Sequence, residues 1–460
     1  MRASPPRHVG RSHRPLGAPP RRRARPFTAV LAAVLVLGGA TTTAVAAPPS
    51  LSESPDRTGE HGILSVTPVT EVGSFGQQVT QVVVEYAARV DGRRLSPSTF
   101  RVEDSGYNFR FDPASELGNL VDREIADVYT TDDPARLLET DRPHRPGRYV
   151  VLELADDPNG GWTVITSLCP TFLCSVRVNP DQLTQVTQLA DVVGPHGAVV
   201  SAAAPRTPHR LTEEPIDREV DRFRGGSLET ETGELVYDYR LPDRYDPRKR
   251  YPLVVALPGH GMGYDGQNRG VELASDMLAL AWNQREWSGT HEGVIVVAPQ
   301  NRRVGKAVEG AQVVELVEDF TSRFAVDRRR VYAASVSYGS QLMWEAFSTR
   351  PDLFAGGLLT GGFPGDADEF APIAAAEVPM WITHGTGDHL LPVANARASY
   401  DKLVAAYEAR GLSKKRIAHL ARWTEYGDEA FSLPDRHLAA APTLEDPETL
   451  QWLLAQRKRS

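Results

Sequence analysis

Cysteine is nearly absent from this chain of 460 residues, which holds only Cys169 and Cys174. Pro170, Thr171, Phe172 and Leu173 separate the two, and no partner histidines accompany them. A structural zinc site needs four Cys or His donors, which the pair does not supply. In an oxidising compartment two such neighbours predict a local disulfide instead. Acidic residues are missing from the first 52 positions, where eight arginines between Arg2 and Arg25 precede the apolar run Phe27 to Ala40 and then Ala44-Val45-Ala46. That run is too short to span a bilayer comfortably. Basic region, apolar region and small-x-small site in this order predict a secretory signal over residues 1–46 and an extracellular protein with no stable membrane span. No cysteine follows the cleavage site, so no lipid anchor is expected there. Loss of residues 1–46 removes eight positive charges and moves the formal charge from -8 to -16. A mature chain this acidic is a poor candidate for nucleic acid, whose phosphates call for a basic surface.

What remains is 41% hydrophobic and 24% charged over the whole chain, ordinary for a globular protein with room for two domains. Residues 47–62 are rich in Ser, Pro and charge and read as a flexible leader. From 63 to 204 the texture is β: Val82, Val84 and Tyr86 alternate with Val83, Glu85 and Ala87, and Asp157-Pro158-Asn159-Gly160-Gly161 marks a hairpin before Trp162. Roughly seven short strands without a long helix predict an all-β sandwich of the immunoglobulin-like kind. Residues 205–225 combine prolines with mixed charges and read as a linker whose charges are solvated.

Residues 226–460 change period. Glu229 to Leu241 suggests a hairpin; Tyr251 to Leu257 and Gly293 to Ala298 are continuous apolar strands. Helices are expected over Gly270 to Trp282 and Glu309 to Phe324, and further strands near Val331, Gly357, Met380 and Arg422. This alternation predicts a mostly parallel sheet with helices on both faces. Ser335-Val336-Ser337-Tyr338-Gly339 lies between strand and helix and is close to the Gly-x-Ser-x-Gly elbow, which makes Ser337 the candidate nucleophile. His384-Gly385-Thr386-Gly387-Asp388 leaves a later strand and supplies Asp388 as the acid. His437, after the last strand, supplies the base. His384 and His389, beside the acid, read as structural. The order Ser, Asp, His, at intervals of roughly 50 residues, is that of an α/β-hydrolase. Backbone N–H groups for an oxyanion come from Tyr338, directly after the nucleophile, and from the loop Pro258 to Gly263, with His260 the candidate there. That loop lacks the Gly-Lys-Ser/Thr ending that a phosphate loop needs.

Tyr251-Pro252-Leu253-Val254-Val255, Ala298-Pro299-Gln300, Asp327 to Gly339, Pro351 to Gly356 and Trp381 to Pro392 resemble the secreted α/β-hydrolase esterases related to prolyl-oligopeptidase catalytic domains and polyhydroxybutyrate depolymerases. One group of these carries an N-terminal immunoglobulin-like domain. The chain departs from the pattern at Pro258-Gly259, where His-Gly is usual, and at Ser335, which stands in for the leading elbow glycine. The resemblance implies a catalytic Ser337, Asp388 and His437, a small or polymeric ester as substrate, and no metal or cofactor. The expectation is therefore a secreted serine esterase working through an acyl-enzyme. The alternatives are a serine peptidase of prolyl-oligopeptidase type and a non-catalytic binding protein on the same fold. The compact sandwich, without repeated strand blocks, argues against a propeller lid and for esters over peptides.

Overall fold

The computed structural model describes residues 62–458 apart from 74–75, 107–119, 134–144, 158–159, 167–175, 179–182, 212, 214, 260–262, 265–269, 285–291, 303–307 and 432–435. The expected signal over 1–46, most of the leader, both cysteines and His260 lie outside the described residues.

The N-terminal part is built from two facing sheets. One has five strands in the spatial order Ile216–Asp217, Ile63–Gly73, Gly76–Val90, Gly147–Leu154, Ile125–Thr131; the other has four, His209–Arg210, Thr184–Gln188, Phe100–Ser105, Leu120–Arg123. Val66, Val82, Val84, Tyr86, Phe100, Val102, Leu152 and Val186 fill the space between them. Because side chains alternate across a strand, Val83 and Val151 point the other way, where they pack with Val69 and Tyr129. The strands Ile63–Gly73 and Gly76–Val90 are much longer than the short strands that composition suggests.

The stretch read as a solvated linker is stitched into this domain. Ile216–Asp217 pairs in parallel with Val69 and Thr70, His209–Arg210 pairs with Gln185 and Val186, and Arg218 donates to the Gln81 side chain at 3.0 Å. Glu219 accepts from the Val72 N–H and from the Gln284 side chain, both at 3.1 Å, and so clamps the sandwich to the following domain. Val72 itself packs into the same cluster as Leu273, Met277 and Trp282. Arg218 and Glu219 are thus hydrogen-bonded structure, while Arg206, Arg210, Glu213, Asp221 and Arg222 keep the exposed face expected of the segment.

The second domain is an eight-stranded sheet. We number its strands β1 (Arg224–Thr230), β2 (Gly233–Arg240), β3 (Tyr251–Leu257), β4 (Ile295–Pro299), β5 (Val326–Val336), β6 (Gly356–Thr360), β7 (Met380–Gly385) and β8 (Ala421–Tyr426). Their spatial order is β1-β2-β4-β3-β5-β6-β7-β8, antiparallel at the β1/β2 and β2/β4 pairings and parallel elsewhere. Leu253, Val255 and Leu257 of β3 join Val331 and Ala333 of β5 on one face; Val254 and Ala256 join Tyr332, Ala334 and Val336 on the other. Both faces are covered, which is why these strands are apolar throughout. Helices α1 (Val271–Ser275), α2 (Gly310–Arg323), α3 (Gly339–Thr349), α4 (Phe370–Ala375), α5 (Val393–Ala409), α6 (Lys414–Leu420), α7 (Ala440–Leu444) and α8 (Pro447–Ala455) supply the cover. Among the described residues no helix is long and apolar enough to cross a membrane.

The helix expected over 270–282 stops after Ser275. Asp276 is extended, with φ -164° and ψ 179°, and its carboxylate accepts the Leu278 N–H at 2.8 Å. A short polar side chain that bonds the backbone two residues on competes with helix continuation. Burial pushes the Asp276 carboxyl up to about 6 from an ordinary value of 3.8. A raised carboxyl costs stability as pH rises: the unfolded chain ionises near pH 4, the folded protein only near 6, and the loss is complete above that. Asp276→Asn keeps the acceptor and cannot ionise. It should be more stable than the parent at pH 8 by up to about 3 kcal/mol, with the difference gone by about pH 3, as urea denaturation at the two pH values will show.

Candidate active site

Parallel register places the carboxyl ends of β3, β5, β6, β7 and β8 along one edge of the sheet. Leu257 lies opposite Ser335, Val336 opposite Thr360, and His384 opposite Glu425. Each functional candidate leaves a strand at this edge.

Ser337 follows β5 directly and has φ 51°, the left-handed region that a residue with a side chain rarely adopts. Three contacts hold it there. Its N–H donates to the Thr360 carbonyl at 3.1 Å, and its own carbonyl accepts from the Ser340 N–H at 3.1 Å and the Ser340 hydroxyl at 2.7 Å. Ser340 in turn accepts the Phe363 N–H at 2.7 Å, so the turn is tied to the loop after β6. Strained backbone of this sort is sustained only by such surroundings. Gly339 is where the elbow cannot accept a side chain: a Cβ there would sit 2.0 Å from the Leu257 carbonyl oxygen. Ser335 replaces the other glycine of the pattern and is fully buried between β3 and β6, its hydroxyl without a hydrogen-bond partner.

Asp388 sits on the loop after β7. Its Oδ1 accepts the N–H groups of Leu390 at 2.8 Å and Leu391 at 2.9 Å. Its Oδ2 faces two imidazoles, His437 Nδ1 at 2.8 Å and His384 Nε2 at 3.1 Å. Burial alone would raise this carboxyl, but the hydrogen bonds from His384, His437 and Leu391 outweigh it and hold the group well below the ordinary carboxylate range.

His437 comes from the loop after β8. Its neighbour Arg436 anchors that loop, donating to Asp428 at 2.7 Å and covering the Phe431 ring at 5.1 Å. The His437 carbonyl crosses Gly361, where a Cβ would lie 2.6 Å from its oxygen; Gly361 has φ +52°, so both space and conformation require glycine. The imidazole is 11% exposed, and its Nε2 is 2.9 Å from the Ser337 Oγ. With Asp388 ionised, Nδ1–H donates to the carboxylate and Nε2 is left to accept the serine proton.

The structure therefore brings Ser337, His437 and Asp388 into one hydrogen-bonded chain. Tyr338 directly follows Ser337 and caps the start of α3. His260 lies outside the described residues, although Gly259 marks where its loop leaves β3. His389 is exposed, while His384 is fully buried and bonded to Asp388, a partnership that its reading as merely structural did not anticipate. The spacing of four residues within a glycine-rich turn was the available signal. Ser340 and Gly361 carried no comparable mark. No cluster of three or more His, Cys, Asp or Glu that could hold a metal occurs among the described residues.

Residues 65–201 match the family model of the esterase Ig-like N-terminal domain. A solved structure, that of a thermostable esterase, aligns with 86% of this chain and 100% of its own at a TM-score of 0.69 and 26% identity. Among curated proteins, the probable feruloyl esterase C of Aspergillus clavatus is 28% identical over 162 residues, 34% of this chain and 55% of that protein. The chain thus spans about half the length of the curated relative it matches. Strand order, the strand–turn–helix at Ser337 and these likenesses agree: the chain has an α/β-hydrolase fold preceded by a β-rich domain that matches the esterase Ig-like N-terminal domain.

Proposed function

We propose that the protein is an exported carboxylic ester hydrolase acting through Ser337, His437 and Asp388. The observation that carries this reading is the continuous hydrogen-bonded chain, 2.9 Å and 2.8 Å, ending on a serine in a strained turn. As Ser337 Oγ bonds to the ester carbonyl carbon, its proton passes to His437 Nε2. Asp388 orients the ring and stabilises the imidazolium. The carbonyl oxygen becomes an oxyanion facing the Tyr338 N–H and a second N–H from the Pro258 to Gly263 loop, where His260 is the candidate. Collapse expels the alcohol, which takes the proton from His437 and leaves an acyl-enzyme. Water then repeats the sequence, releasing acid and free Ser337. Esters are favoured over peptides because amine expulsion demands more of the acid and of subsites that grip an extended chain. The esterase names among the similar proteins support the same choice and make aryl esters, feruloyl esters included, the first class to try.

The test uses protein recovered from the medium of an expressing host. Its intact mass should lack residues 1–46 and show Cys169 and Cys174 bridged. A fluorophosphonate should label Ser337 alone, and short-chain aryl or acyl esters should be cleaved with kcat/KM well above that of any peptide. Absence of labelling in the folded protein would sink the serine-hydrolase reading, and a peptide turned over as efficiently as the best ester would make it a peptidase.

A further inference from the structure

The imidazole of His384 lies at the end of β7 with no exposed surface. Its Nε2 is 2.9 Å from the Leu391 carbonyl oxygen as well as 3.1 Å from Asp388 Oδ2. A carbonyl oxygen only accepts, so Nε2 carries the proton and donates to both. The other nitrogen, Nδ1, is buried without a partner. An unpaired buried nitrogen costs free energy that an apolar side chain of similar volume would avoid, so packing alone does not account for a histidine here. The gain lies on the Nε2 side. Together with His437 and the N–H groups of Leu390 and Leu391, it completes four donors around the four lone-pair positions of Asp388. The bond to the Leu391 carbonyl adds a brace across the same loop, closing the turn from His384 to Leu391 around the carboxylate.

We infer that His384 is a positioning residue of the triad, a second imidazole that fixes the rotamer of Asp388 and takes up part of its charge, so that the carboxylate presents one lone pair to His437. The inference rests on the triad reading. It follows that loss of the Nε2 donor both frees Asp388 to rotate and returns negative charge to the side facing His437. The first lowers turnover. The second strengthens the imidazolium of His437 and moves the acid limb of the pH-rate profile to higher pH. His384 and His437 are the two titratable groups that donate to Asp388, one from β7 and one from the loop after β8.

Two amide variants separate positioning from packing. In His384→Gln the amide nitrogen takes the place of Nε2; in His384→Asn it takes the place of Nδ1, which has no partner. Both are compared with the parent by near-UV circular dichroism, by the rate of fluorophosphonate labelling of Ser337, and by kcat, KM and pH profile on an aryl ester. His384→Gln should keep most of the parent's labelling rate and kcat. His384→Asn should lose about 10- to 100-fold in both, the loss usual when the group that orients a working histidine or carboxylate is removed. Its KM should be unchanged and its acid limb raised. A Gln variant no better than the Asn variant, whether both are active, both inert or both misfolded, overturns the inference. Failure of the triad reading is distinguishable, because then the parent itself takes no label on Ser337.

Discussion

Ser337→Ala and His437→Ala should each lower kcat on the order of 10⁶-fold, and the double variant should be no slower than either alone. Nucleophile and base act as one unit: with the hydroxyl gone the imidazole has no proton to accept, and without the imidazole the hydroxyl is a poor nucleophile at neutral pH. The contact that carries this expectation is the 2.9 Å hydrogen bond between Ser337 Oγ and His437 Nε2. Ser337 is partly exposed, and the His437 imidazole, 11% exposed, comes from a loop rather than from the sheet core, so their removal should leave the fold intact. Initial rates on an aryl ester, paired with thermal melts, measure both points. Near-normal turnover in His437→Ala would move the base elsewhere, and substitutions at the exposed His389 would then be the next to examine.

Asp388→Asn should lower kcat about 10⁴-fold, by the mechanism known for other triads in which an amide favours the wrong imidazole tautomer. Here the carboxylate takes the Nδ1–H of His437 at 2.8 Å, while an Asn nitrogen in the same place would offer a proton instead and drive the His437 proton to Nε2. A ring protonated on Nε2 cannot accept from Ser337. The same substitution has a signature in stability. The Asp388 carboxyl is held below its ordinary value of 3.8 by bonds from both imidazoles and the Leu391 N–H. A depressed carboxyl contributes stability that is fully present above the unfolded value and fades as pH falls through the folded one. Asp388→Asn should therefore be less stable than the parent at pH 7, with the gap narrowing in strong acid. Denaturant midpoints at pH 7 and pH 3 check the direction. A loss of turnover without any pH-dependent change in stability would show that the carboxylate is oriented by something other than these bonds.

Much of the local architecture was legible in short stretches of sequence because the forces that set it are local. Leu253 to Leu257 and Val294 to Ala298 are apolar at every position, which only a strand covered on both faces requires, and the sheet buries all of them. Glu309 to Phe324 has helical spacing and forms α2 almost to the residue. Small residues around Ser337 signalled a turn with close neighbours, and Gly339 against the Leu257 carbonyl is the point where that closeness becomes absolute. The order of Ser337, Asp388 and His437 along the chain could likewise be read directly.

Their mutual distances could not, because Ser337 and His437 are 100 residues apart and meet through the register of four parallel strands. Register is a long-range property: it depends on which side chains of β5, β6, β7 and β8 pack together, and no single stretch contains that information. The same reason hid the need for glycine at 361, which is set by the passage of the His437 carbonyl, and the role of His384, which is set by the loop folding back on Asp388. Asp276 ended α1 where periodicity continued it, since its side chain bonds the backbone only once the surrounding core has removed water. Glu219 reads as one more charge in a polar linker. Tertiary structure alone makes it a clamp, because the Val72 N–H and the Gln284 amide reach it from two different domains and leave its carboxylate partners that water would otherwise have supplied.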